Sequence, residues 1–359
     1  MWPEEDETAN RAAGTETESE TDILLGMDVV ALTRELVDIE SITGNERGVG
    51  EFLHRRLREL GYEVRLDPVE TGRFNVFAVP PKQPRPEIFL STHMDTVPPH
   101  FPSREDESRI YGRGACDAKG IIAAQIAAAE KLRQDGPAVG LLFLVGEERN
   151  SAGAQHANQR PAGGRFLING EPTGNRLATA TKGAMRVELF AEGRMAHSAY
   201  PELGESAIEK LLDALQRIRQ ISLPSDPQLG ACTLNIGLID GGRAPNVIPD
   251  HAHAELMYRL IGASDELKRQ LVAAAGEQVR VKWGLELPFV RLRTLDGIPT
   301  MMAAFATDIP SLTKWGEPLL LGPGSIHVAH TPEEHIEKKE LLAAVDLYAE
   351  VARRLVGSS

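Results

Sequence analysis

Five short segments of this 359-residue chain place imidazole or carboxylate side chains at the ends of apolar or glycine-flanked runs. In residues 88–100, an apolar start leads to His93, with Asp95 two residues on. Residues two apart on an extended chain face the same side. Asp95 can therefore reach His93 and hold its imidazole by the nitrogen turned away from a metal. In residues 111–120, glycines flank Asp117 just ahead of a helical run. A carboxylate there can ligate a metal or simply cap the helix. Cys116 beside it reads as a small buried residue rather than a ligand. The most apolar run of the chain, at 138–145, delivers Glu147 and Glu148. Consecutive side chains point to different sides, so one can bind metal while the other acts on water as a general base; a solvated charge pair is the plainer alternative. Glu171 follows a shorter run, between Gly170 and Pro172. Toward the other end, a Gly-Pro-Gly turn precedes His327, His330 and His335. That loop could carry a ligand and backbone donors for an anion. Together these oxygen and imidazole donors suit zinc or cobalt. A bridging carboxylate with two histidines and two glutamates would hold two divalent metal ions about 3.5 Å apart.

Such a site needs elements that bring distant segments together. Apolar residues at helical spacing mark helices at 27–39, 45–61, 117–136 and 338–356. Apolar runs at 62–69, 74–80, 88–91, 138–148 and 165–170 read as strands; the one at 138–148 has the continuous character of a strand covered on both faces. Alternation of the two types predicts an α/β domain with a mixed, mostly parallel sheet and helices on both faces. From 184 the order becomes β-α-β-β-α-β, the split unit of ferredoxin-like α+β domains. The expected organisation is a disordered acidic tail at 1–27, a catalytic domain formed by 28–181 and 288–359, and an inserted dimerisation or lid domain at 182–287.

The net charge of −13 is uneven, because residues 1–22 hold eight acidic side chains and one arginine. An acidic balance argues against nucleic acid or an anionic membrane as partner. No apolar run approaches the roughly 20 residues of a membrane span. The N-terminus shows no basic stretch followed by an apolar one. The two cysteines, Cys116 and Cys232, lie far apart and form no C-x-x-C. A reducing, cytoplasmic setting is therefore expected.

In order and spacing, H-M-D-T-V-P, G-R-G-x-x-D-x-K-G, G-E-E, G-E-P-T and G-P-G-S-I-x-x-A-H-x-P-x-E resemble the acetylornithine deacetylase / succinyl-diaminopimelate desuccinylase family of dinuclear metallohydrolases, over roughly 28–356. The resemblance implies that His93, Asp117 and Glu171 hold one metal. It implies that Asp117, Glu148 and His330 hold the other, with Asp117 bridging, the ions being Zn2+ or Co2+. It makes Asp95 the residue that orients His93, and Glu147 the general base. It implies a cis peptide after Asp117. It places His197 where dimeric members reach a neighbouring subunit's site to stabilise an oxyanion. Asn246 and Arg259 fall at substrate-binding positions, Arg259 suiting an α-carboxylate, although a strand-end salt bridge would also use an arginine there. Gly324 and Ser325 of the Gly-Pro-Gly loop join them as substrate-binding candidates.

The implied activity is metal-dependent amide hydrolysis that removes an acyl group, acetyl above all, from the α-amine of an amino acid such as ornithine or lysine, in arginine or lysine biosynthesis. The expected partners are this small N-acyl substrate, a second copy of the chain joined through the inserted domain, and an amino-group carrier protein. A dipeptidase or aminopeptidase, or a succinyl-diaminopimelate desuccinylase, would use the same site. A non-catalytic binding protein on this scaffold is the alternative from another class.

Overall fold

This computed structural model describes residues 27–357, except 84 and 228. The acidic tail expected at 1–27 therefore lies outside the described residues, Met27 excepted.

A six-stranded sheet organises the larger unit. Its strands run in the order Glu63–Glu70, Arg73–Val79, Val139–Leu144, Ile88–His93, Phe166–Asn169 and Glu317–Leu320. The last four are mutually parallel, and Arg73–Val79 runs against its two neighbours. The parallel strands are continuous apolar runs because both faces are covered: every residue of Ile88–His93 and of Val139–Leu144 is buried.

Helices Val29–Asp38, Arg47–Glu59, Lys119–Asp135 and Lys338–Gly357 contribute to one large apolar cluster with the sheet. Lys119–Asp135 is rich in alanine and buried around most of its circumference, which fits a helix packed against helices as well as the sheet. A second cluster gathers Phe77, Phe89, Leu142, Leu144 and Trp315. There the Phe89 and Trp315 rings meet edge to face at 5.0 Å.

The inserted segment forms a four-stranded antiparallel sheet in the order Thr233–Gly241, His251–Leu260, Gly183–Glu192, Val279–Leu287. Helices Ala207–Ile218 and Asp265–Ala275 pack with it around a separate apolar cluster. Strict alternation selects its faces. Met185, Val187, Leu189 and Ala191 point to these helices, as do Ala252, Ala254, Leu256, Tyr258 and Leu260. The intervening Arg186, Glu188, His253, Met257 and Arg259 therefore occupy the opposite face.

Two small sheets had no clear signal in the sequence. One joins Val290–Arg291, Leu177–Thr181 and Thr300–Ala303, and the other joins His335–Glu337, Arg109–Tyr111 and Arg104–Glu105. Their strands are too short to show periodicity.

Candidate active site

The polar segments converge at the carboxyl ends of the four parallel strands, where α/β sheets place their ligands. His93 is the last residue of its strand, and Glu147 and Glu148 lie just past Leu144. Glu171 lies just past Asn169, and the loop to His330 follows Leu320. Main-chain bonds beyond the strand ends keep them in line: Met94 N–H donates to Leu144 O at 2.7 Å, Gly170 N–H to Ser91 O at 2.6 Å, and Leu321 N–H to Asn169 O at 3.0 Å. Asp117 comes from the turn before Lys119–Asp135, and its peptide bond to Ala118 is cis.

Asp117 is the centre of the cluster. Its Oδ1 lies 2.9 Å from His93 Nε2, and its Oδ2 lies 3.4 Å from His330 Nε2. His330 Nε2 is also 2.9 Å from Glu148 Oε1. One carboxylate thus faces an imidazole with each oxygen, as a bridging ligand must. Ligand atoms of His93, Asp117 and Glu148 all lie within 4.8 Å of one another. Glu171 is buried, and its Oε1 has no hydrogen-bond partner among the described residues. An orphaned carboxylate oxygen among further carboxylates and the His93 imidazole fits a cationic occupant. His93, Asp117 and Glu171 would hold one divalent ion, and Asp117, Glu148 and His330 the other.

The electrostatics agree with that reading. Burial pushes the Glu171 and Glu147 carboxyls well up, and neighbouring carboxylates add to the shift. Burial also opposes ionisation of Asp117, but hydrogen bonds from His330 and His93 outweigh it and hold its pKa well below the usual carboxylate range. His330 is pushed up to about 10 by Asp117 and then Glu148. The imidazoles and carboxylates stabilise one another's charges here, the role a metal cation would take over for the carboxylates.

Asp95 acts differently from the expected carboxylate–histidine contact. The His93 Nδ1 bond goes to the main-chain oxygen of Asp95, at 2.9 Å, while the carboxylate Oδ1 is 3.6 Å away. The carboxylate accepts instead from the Thr43 hydroxyl and from the N–H groups of Gly146, Glu147 and Glu148.

A cleft of about 670 Å³ opens above the cluster. Asp117, Glu147, Glu148, Glu171 and His330 line its floor, and Arg186, Met257 and Arg259 of the inserted sheet line its other side. Arg259 makes no ion pair or hydrogen bond through its side chain to the described residues. His197 and Asn246 are not part of this cleft. They are exposed and adjoin each other on the inserted unit, where Ser198 N–H donates to Asn246 O at 3.0 Å and His197 bridges Val247. Gly324 adopts φ +86°, and a Cβ there would lie 2.6 Å from Cys116 Sγ, so the Gly-Pro-Gly turn needs glycine to sit against Cys116. Ser325 is exposed beside it, pairing with Thr173, and its neighbour Ile326 lines the cleft.

Two residues of the site were not singled out from the sequence. Glu334 is fully buried, pairs with Arg113, and accepts the N–H groups of Gly114, Cys116 and Asp117 at 2.9, 3.3 and 3.1 Å. It holds the turn that aims Asp117. Its place in the G-P-G-S-I-x-x-A-H-x-P-x-E pattern was the available signal. Asp308, also buried, has its pKa pushed up to about 7 by desolvation, partly offset by Ser151. It adds to the field that raises Glu147. Nothing in its sequence neighbourhood marked it.

The family model for peptidase family M20/M25/M40 matches residues 89–354. A probable carboxypeptidase of Aspergillus terreus is 37% identical, over 91% of this chain and 86% of its own. The chain belongs to the M20 family. It is a member of a family of metallohydrolases that act on amide bonds; the match is to M20 as a whole and not to the acetylornithine deacetylase / succinyl-diaminopimelate desuccinylase branch that the motifs resemble. The fold is shared as well. Aminopeptidase PepT of Bacillus cereus superposes with a TM-score of 0.75 at 22% identity, over 91% of this chain and 98% of that one. A Bacillus subtilis protein described as a dinuclear metal binding peptidase from the M20 family gives 0.68 at 18%, over 92% and 98%. No described helix of this M20 chain is long and apolar enough to cross a membrane.

Proposed function

We propose that this chain is a metal-dependent exopeptidase of the carboxypeptidase type, releasing the C-terminal residue of a short peptide or N-acyl amino acid. The observation that carries this is Arg259, an unpaired guanidinium on the wall of the cleft that holds Glu147. A free α-carboxylate is the planar, bidentate partner such a group lacks. The carboxypeptidase name of a relative at 37% identity supports the same reading. It also favours peptide cleavage over deacetylation of a biosynthetic precursor.

Bound divalent ions would polarise the scissile carbonyl and acidify a water. The chain supplies the rest. Glu147 faces the cleft without a place in the ligand set, and its raised pKa suits a group that takes a proton from the attacking water and returns it to the leaving amine. Arg259 holds the carboxylate that fixes the amide over Glu147. His197, exposed and outside the cleft of its own chain, would serve the cleft of a second copy by donating to the oxyanion. A dimer through the inserted unit fits the exposed Leu238 and Ile239 on its edge strand, 58% and 56% accessible.

The test is a substrate panel: dipeptides, the same peptides with amidated C-termini, and Nα-acetyl-ornithine and Nα-acetyl-lysine. Cleavage of free-acid peptides with loss of turnover on amidation supports the proposal. Equal turnover of the amidated forms contradicts it, and turnover confined to acetyl-ornithine or acetyl-lysine replaces it with deacetylation.

A further inference from the structure

We infer that Arg186 forms a second anion-binding position beside Arg259, and that the residue released by this enzyme carries a side-chain carboxylate. The inference rests on the carboxypeptidase reading and names its substrate class.

The register brings the two arginines together. Arg259 pairs with Ala184 and Met257 with Arg186 across adjacent antiparallel strands. Arg186 and Arg259 are thus diagonal neighbours on one face, a separation of about 7–8 Å that long side chains bridge easily. Both line the cleft that contains Glu147. Two guanidinium groups so placed suit one short residue with two carboxylates, the α-carboxylate on Arg259 and the side-chain carboxylate on Arg186.

The fold makes room for Arg186. The strand Val279–Leu287 is irregular between Trp283 and Glu286, opposite it. Gly284 lies there, and a Cβ on it would stand 3.0 Å from Arg186 Nε and 3.3 Å from Arg186 Cβ. Any larger residue would push the guanidinium aside. Arg186 is also weakly engaged. Its only ion-pair partner among the described residues, Glu188, is 3.7 Å away, and the arginine side chain is 48% exposed. Glu188 has a closer partner in Lys282, at 3.2 Å, and keeps it when Arg186 turns to a ligand.

Charge balance points the same way. Four carboxylates line the cleft floor, Asp117, Glu147, Glu148 and Glu171. Two divalent ions would neutralise them. Arg149, Arg186 and Arg259 then remain as a positive excess in the same cleft, which favours an anionic leaving residue and disfavours a basic one.

The experiment compares Ala-Glu with Ala-Gln, which match in shape and differ in charge, on wild type, Arg186→Met, Arg186→Lys and Gly284→Ala. The account expects wild type to prefer Ala-Glu by at least tenfold in kcat/KM. Arg186→Met should lower that ratio at least fivefold, Arg186→Lys should retain part of it, and Gly284→Ala should lower it by crowding Nε. Calorimetry gives a second readout, with N-acetyl-glutamate expected to bind the Glu147→Gln protein more tightly than N-acetyl-glutamine, and Arg186→Met erasing the difference. A wild-type ratio near one, or a ratio that Arg186→Met leaves unchanged, overturns the inference. Absence of hydrolysis on every peptide tested, with metal bound, overturns the carboxypeptidase reading instead.

Discussion

The Asp95 carboxylate accepts the backbone N–H of Glu147 at 3.1 Å, so the strand that carries His93 also fixes the turn that carries the proposed base. The same Oδ1 takes the Gly146 N–H at 3.0 Å, and Oδ2 takes the Glu148 N–H at 3.2 Å and the Thr43 hydroxyl at 2.8 Å. Asp95 is fully buried. Its carboxyl pKa is lowered, because hydrogen bonds and the charge of His93 outweigh desolvation. Asp95→Ala would leave three N–H donors without a partner, each costing about 1–3 kcal/mol. A loss of about 3–5 kcal/mol in urea denaturation is expected, together with reduced turnover. Asp95→Asn keeps one acceptor oxygen and should lose less of both.

Glu334 and Arg113 form a buried pair behind Asp117. Removing one partner of a buried pair typically costs about 3–5 kcal/mol, because the other charge is left uncompensated. Glu334→Ala also frees the N–H groups of Gly114, Cys116 and Asp117. Thermal denaturation should show a large drop in Tm, and metal titration a weaker affinity, because the Asp117 turn loses its anchor. Unchanged metal affinity would mean that the Asp117 turn holds its shape without Glu334.

Asp308 gives a pH signature in the metal-free protein. Its folded-state pKa is pushed up to about 7 by burial, against an ordinary aspartate value of about 3.9. Between these values the folded state binds the extra proton. The Asp308 contribution to stability is therefore present below about pH 4 and is lost as pH rises through 7. Asp308→Asn should stabilise the protein at both pH 5 and pH 8, and by about 2–3 kcal/mol more at pH 8 than at pH 5. Equal Tm differences at the two pH values would contradict this.

Much of the fold was legible because the chemistry at each level agreed. The run ending at Leu144 is apolar at every position, the pattern of a strand covered on both faces, and it is short enough to favour a strand over a buried helix. The period-two alternation of Gly183–Glu192 and His251–Leu260 likewise gave the inserted sheet and its two faces. The metal-ligand candidates were legible because carboxylates and imidazoles rarely end such strands without compensation. Asp95 shows the limit of that reasoning. Period two correctly brought it near His93, but a sequence cannot say that its carboxylate turns to the main chain of another loop. Asp308 was invisible because its neighbours in space, Ser151 and His93, are more than 150 residues away in sequence. His197 and Asn246 lie together away from this cleft, a separation that their spacing in the sequence does not reveal.

The central claim is that Glu147 moves the proton while the two histidines and three other carboxylates hold the metals. The most direct measurement is kcat of Glu147→Gln on the best peptide of the panel, with bound metal counted in the same preparation. The account predicts a fall in kcat of about 10²–10⁴-fold with two divalent ions still bound per chain. Turnover within tenfold of wild type, with both ions bound, would contradict it.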